Sequence, residues 1–204
     1  MISNSCNHEC AAAGLSPEYE KPGLLRPRPA QGALPEDGVR RDNPEARRPA
    51  DVYLPRWRRG VPVALDFAVT SELRASAVTA AAHDASSTTR AYEDFKTSYM
   101  DTQTVCINEG FNFIPMVMEA VGGGWGPSAN KVFLELAKTK SLLTGDSMNT
   151  TLTQIHQNLQ LILHKENARA LLRRCALTSP DATQVLASAA LFQSAAAEQA
   201  ALYG

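Results

Sequence analysis

The chain is short of aromatic residues, which make up 6% of its 204 positions, and it has only four cysteines. It has no long apolar run: no stretch approaches the roughly 20 residues a bilayer-spanning helix needs, so no membrane partner is expected. Met1 to Gly14 has neither a basic end nor an apolar core, so it does not read as a signal peptide, and an intracellular location is the expectation. The cysteines stand at 6, 10, 106 and 175. Cys6, His8 and Cys10 invite a zinc reading, but no second close Cys/His pair follows, so no zinc is expected and free thiols in a reducing compartment are. The run GlyGlyGlyTrpGly at 122 to 126 lacks the Walker lysine pattern, which excludes a P-loop. There is no fixed-period repeat.

What is present is ordinary in amount and uneven in placement. Hydrophobic residues make up 44% and charged residues 20%, enough for one compact domain with terminal extensions. The net charge of −1 excludes no partner, but residues 21 to 60 hold ten Lys or Arg against five acids, a local balance of +5, so the remainder carries −6. Such a segment suits phosphate contacts, and it equally suits a solvated arginine-rich loop.

The most informative stretch runs from Arg47 to Ser71. It reads as a strand over 51 to 54 and another over 63 to 70, joined by a basic, glycine-containing connection. Asp51 opens the first and Asp66 sits in the middle of the second, although Asp is depleted in strands. A structural role covers both: Asp51 starting a strand, Asp66 paired with an arginine. The chemical reading brings the two carboxylates to one cation, because neighbouring strands lie about 4.8 Å apart. Two such charges about 4 Å apart repel by roughly 4 kcal/mol at an effective dielectric near 20. Mg²⁺, which prefers one or two carboxylates plus phosphate oxygens, turns that repulsion into attraction.

The series Arg-Pro-x-Asp, fourteen residues, then Asp resembles the restriction-enzyme-like endonuclease domain of certain non-LTR retrotransposons. A later ordered series is similar to retroelement-derived open reading frames: Lys96 and Tyr99, Cys106 and Gly110, then Phe113, Pro115, Val117 and Glu119. The likeness covers roughly residues 8 to 175. It implies an α/β fold of the restriction-endonuclease type, a mixed sheet flanked by helices, with a C-terminal helical extension. It also implies a Mg²⁺ or Mn²⁺ cofactor on Asp51 and Asp66, and hydrolysis of a DNA phosphodiester in the nucleus. RNA is a further partner within a larger retroelement protein. Two departures stand out: Ala50 separates Pro49 from Asp51, and Ala68 occupies the position where many such nucleases place lysine. The resemblance then puts the catalytic lysine at Lys96, or leaves the domain a catalytically inactive remnant that binds nucleic acid.

The rest of the chain follows this frame. Residues 1–25 read as a helix over 7 to 14, ended by Gly14, and a first strand within 16 to 25. Residues 26–50 read as a Pro- and Arg-rich loop, and 51–127 as the core. Within the core, Thr88 to Asn108 reads as one helix whose stripe of Tyr92, Phe95, Tyr99 and Val105 faces inward, with Lys96 at its edge. Residues 111 to 121 read as a buried central strand, although Pro115 argues for an edge. Residues 128–178 read as a helical layer and 179–204 as an alanine-rich helical tail. Glu9, Glu20, Tyr99 and Glu119 are accessory site candidates, and Arg47, Arg48, Arg56, Arg58 and Arg59 are candidate nucleic-acid contacts. His156 and His164 stand too far apart for a helical metal pair.

Overall fold

The computed structural model describes residues 2–25 and 50–178, with side chains described as far as 174. The first compact unit is Met1–Gln160 and the second is Leu161–Gly204. Arg47, Arg48 and the tail from 179 onward lie outside the described residues.

Helix α1 (Ile2–Ala12) is followed by strands β1 (Glu18–Tyr19), β2 (Val52–Leu54) and β3 (Val63–Thr70). Helices α2 (Val78–His83), α3 (Ser87–Ser98) and α4 (Thr102–Asn108) lead to β4 (Asn112–Glu119), and α5 (Pro127–Thr144) and α6 (Met148–Thr178) complete the chain. The sheet order is β1-β2-β3-β4, antiparallel across the first two pairs and parallel between β3 and β4. The fold is therefore mixed α/β, a four-stranded mixed sheet flanked by helices.

Alternation along the strands assigns the two faces. Tyr53 and Ala64, paired across β2 and β3, join Ala50, Cys106, Phe111 and Phe113 in one core cluster, with Tyr53 edge-on to Phe111 at 6.0 Å. That face is covered by the crossover helices. Val52, Leu54, Val63, Leu65, Met116 and Met118 point the other way and are fully buried. There Phe67 meets Trp125, which packs on Phe133 of α5 at 4.8 Å, and Phe133 in turn meets His156 at 5.4 Å. Phe133 has no exposed surface, so truncating it to alanine costs about 3–5 kcal/mol.

Local chemistry sets the ends of the elements. Gly126 and Pro127 start α5, and Gly145 ends it at φ +80°, a left-handed turn that glycine adopts without strain. Four expectations need correction. The first helix begins at Ile2 rather than at 7, and the first strand shrinks to two residues. The helix expected over 88 to 108 is two helices, because Met100 and Asp101 take positive φ angles of 53° and 54° and break the hydrogen-bond ladder. The strand at 112–119 is an edge strand, not a central one, although it is buried along most of its length. Its ladder position explains how Pro115 is tolerated, since an edge strand has a side that needs no donor.

Candidate active site

Asp51 stands where the β2–β3 ladder breaks. Val52 is paired with Leu65, but the Asp51 N–H donates to the Leu65 carbonyl at 2.9 Å. Its carboxylate Oδ2 accepts the Phe67 N–H at 2.7 Å. One residue thus brackets β3 on either side of Asp66. The Asp66 carboxyl is held above the ordinary carboxylate value by burial, with the Asp51 charge adding to the rise. The Lys96 hydrogen bond and charge oppose that rise without cancelling it.

Lys96 arrives on the crossover between the parallel strands. Helix α3 packs on β4 and β3, and Lys96 Nζ donates to Asp66 Oδ2 at 2.6 Å. The pair is neither sealed nor open: the side chains are 25% and 20% exposed for Lys96 and Asp66. Asp66 does pair with a cation, as the structural role required, but with a lysine 30 positions away rather than an arginine. Ala68 shares the Asp66 face, two residues on along β3.

The accessory candidates are not gathered here. Glu9 is buried and accepts Lys140 Nζ at 2.8 Å and Asn158 Nδ2 at 2.9 Å. Burial alone would raise its carboxyl, but those two hydrogen bonds together hold it below the ordinary range. Glu119 is paired with Thr70, four residues along β3 from Asp66 or about 13 Å of strand. Its carboxylate accepts the N–H groups of Val121, Gly122 and Glu72, so it caps the glycine turn instead of serving the acid pair. Glu20 is exposed, and its N–H donates to the Asp51 carbonyl at 2.9 Å, which makes it a backbone neighbour of the pair. Tyr99 is exposed and packs on Phe95 rather than in the core.

The basic residues divide similarly. Arg56, Arg58 and Arg59 are exposed on the β2–β3 connection, about 10 Å along the strands from the acids. Arg58 reaches Glu135 at 3.6 Å. Arg90 is committed to Asp84, and Lys21 to Glu18 and the Tyr53 ring, so neither stands beside Asp66. Cys6 and Cys10, one turn apart on α1, are buried thiols, and Cys6 is pushed well up by its hydrogen bond to Cys10, by burial, and by nearby charge.

Sequence reasoning missed Glu93. It is buried, its carboxylate accepts the Ser128 N–H at the start of α5 at 3.1 Å, and burial raises its pKa. A Cβ at Gly126 would lie 2.1 Å from its Oε1, so the glycine is what admits the acid. The apolar stripe through 92, 95 and 99 drew attention to the other side of that helix and hid it.

No family model matches the chain, and neither a curated protein nor a solved structure matches it. Among the described residues no helix is long and apolar enough to cross a membrane, and no cluster of three or more His, Cys, Asp or Glu side chains is gathered for a metal. Asp51 and Asp66 supply two hard carboxylates, partly exposed and mutually repelling. That donor set fits Mg²⁺ or Mn²⁺, which complete their shells with water and phosphate.

Proposed function

We propose that this chain is a Mg²⁺- or Mn²⁺-dependent DNA endonuclease domain of the restriction-enzyme-like class, derived from a retroelement protein and acting in the nucleus. One observation carries the reading: a lysine from a separate helix bonds Asp66 while Asp51 stands beside it. The order helix, three strands, helices, parallel strand adds support, since it is the order expected of that class.

Asp51 and Asp66 would hold the divalent cation. That ion, when bound, supplies Lewis acidity toward the phosphoryl group and lowers the pKa of the attacking water. The chain's own residues do the rest. Lys96 places a positive group beside the acids, where it orients the water and offsets charge developing on phosphate. Asp51, fixed by the Phe67 N–H, is held in place without cost at the moment of reaction. The exposed arginines of the β2–β3 connection hold neighbouring phosphates.

Nicking of supercoiled plasmid by the full chain in Mg²⁺ or Mn²⁺ tests the reading. Nicked circles should form, Asp66→Asn should abolish them, and Lys96→Ala should slow them about 100- to 1,000-fold. Ala68→Lys added to Lys96→Ala should recover part of the rate if both positions serve one site. Full nicking by both single variants would overturn the assignment. The second reading is a catalytically inactive nucleic-acid-binding remnant, favoured by Ala68 and by the direct Lys96–Asp66 bond, which can neutralise the acid without any metal. DNA binding by a parent protein that nicks under no divalent cation would select it.

A further inference from the structure

Helix α3 is turned inside out. Its buried residues are Thr88, Thr89 and Glu93, whereas Phe95 and Tyr99, which caps its C-terminal end, are each 51% exposed. An amphipathic helix that only had to pack would do the reverse. The exposed rings of Phe95 and Tyr99 meet at 5.3 Å, and Phe95 also meets the half-buried Tyr92 at 5.7 Å, with tilts of 40° and 46°. Positions 92, 95 and 99 are three and four residues apart and so share one helix face. Lys96 is four residues after Tyr92 and three before Tyr99, so the stripe borders the ammonium that holds Asp66.

We infer that the Tyr92–Phe95–Tyr99 stripe stacks unpaired bases beside the scissile phosphate, and that the substrate class is DNA with a single-stranded segment at the cut. A paired duplex offers base edges to its grooves but no base face for a ring. An unpaired strand offers a face at every nucleotide, and stacking is tolerant of sequence. A strand lying on the stripe carries its phosphates along the same helix face as Lys96. The rings supply the apolar contact, and Lys96 with the acid pair meets the backbone. Thr88, Thr89 and Glu93 are the buried residues of α3, which leaves Phe95 and Tyr99 to the solvent side.

The inference rests on the endonuclease reading for what happens at the phosphate, but binding can be measured apart from cutting. Fluorescence anisotropy of the full chain in Ca²⁺ would compare a paired duplex with the same duplex carrying a central unpaired bubble of equal phosphate number. The parent should bind the bubble about tenfold tighter or more. Phe95→Ala and Tyr99→Ala should each remove about tenfold of that preference, with duplex affinity and circular dichroism unchanged, and Phe95→Trp should retain it. An equal loss on both DNAs, or no loss on either, overturns the inference. So does light scattering that shows a dimer split by Phe95→Ala while the bubble preference stays, because the stripe would then be covered by a second copy. In Mg²⁺, nicking without any ring-dependent preference sinks the inference and leaves the nuclease. A ring-dependent preference without nicking upholds the stacking surface and sinks the nuclease.

Discussion

Glu9 and Asp66 each bind one lysine, at 2.8 Å from Lys140 and 2.6 Å from Lys96, and both pairs lie within the first compact unit. Around Glu9 the bonding closes. Lys140 and Asn158 occupy both carboxylate oxygens, the acid side chain is 6% exposed, and the carboxyl is held below its ordinary value. Around Asp66 it does not close. Burial dominates, Asp51 adds to the rise, and among the described residues Lys96 is the cation that opposes it. The first pair is a clamp between α1, α5 and the start of α6. At the second the carboxyl stays raised despite its lysine, and hard carboxylate oxygens are the ligands a divalent cation prefers. Two acid–lysine contacts of nearly equal length thus leave their carboxyls shifted in opposite directions.

Removing the lysines has the largest expected effect. Lys140→Ala leaves Glu9 buried and uncompensated, and should cost about 3 kcal/mol in urea denaturation. Lys96→Ala should cost about 1 kcal/mol or less, since its partner is reached by solvent. Adding Mg²⁺ tenfold above its Kd should then stabilise Lys96→Ala by about 1.4 kcal/mol and leave Lys140→Ala without rescue. Equal costs for the two lysines would erase the distinction.

A smaller effect separates the pairs by sign. The Glu9 carboxyl sits below its ordinary value, so its contribution is present above that value and is lost as pH falls through the folded one. The Asp66 carboxyl sits above, so it destabilises the fold at neutral pH, and acidification relieves that cost. Denaturation midpoints of Glu9→Gln and Asp66→Asn should lie on opposite sides of the parent at about pH 7 and converge on it toward about pH 3. Carbon NMR of Asp66 should show its pKa falling in Asp51→Asn. Midpoint differences that move in parallel on acidification would contradict the assignment.

The smallest expected effect on stability comes from the exposed arginines. Neutralising Arg56, Arg58 and Arg59 together should change stability by about 0.5 kcal/mol or less, because the ion pair of Arg58 with Glu135 among the described residues is long and partly exposed. The salt dependence of duplex binding should flatten by about 0.9 per lost phosphate contact. An unchanged slope would mean that this connection faces away from the nucleic acid.

Much of the arrangement was legible where period and spacing are local. The apolar, β-prone run over 63 to 70 marked β3 to the residue, and an acid in its middle pointed to a partner. Lys96 was reachable only through the resemblance, since a partly buried lysine on a helix looks like any other in sequence. What stayed hidden depended on tertiary choice. Tyr92, Phe95 and Tyr99 have the spacing of a core stripe, yet the buried residues of α3 are two threonines and Glu93. The break at Met100 and Asp101 has no glycine to announce it. Glu9 and Glu119 could not be separated from site acids, because the lysine, the asparagine and the backbone donors that occupy them are distant or irregular in sequence.

We propose that Asp51 and Asp66 bind a divalent cation. Titrating Mn²⁺ into the full chain, with free ion read by electron paramagnetic resonance, tests it most directly. One strong site is expected in the parent. Asp66→Asn and Asp51→Asn should each weaken it at least about tenfold, the loss of one anionic ligand, and Lys140→Ala should leave it unchanged. Mn²⁺ affinity unaltered by either aspartate variant would contradict the account.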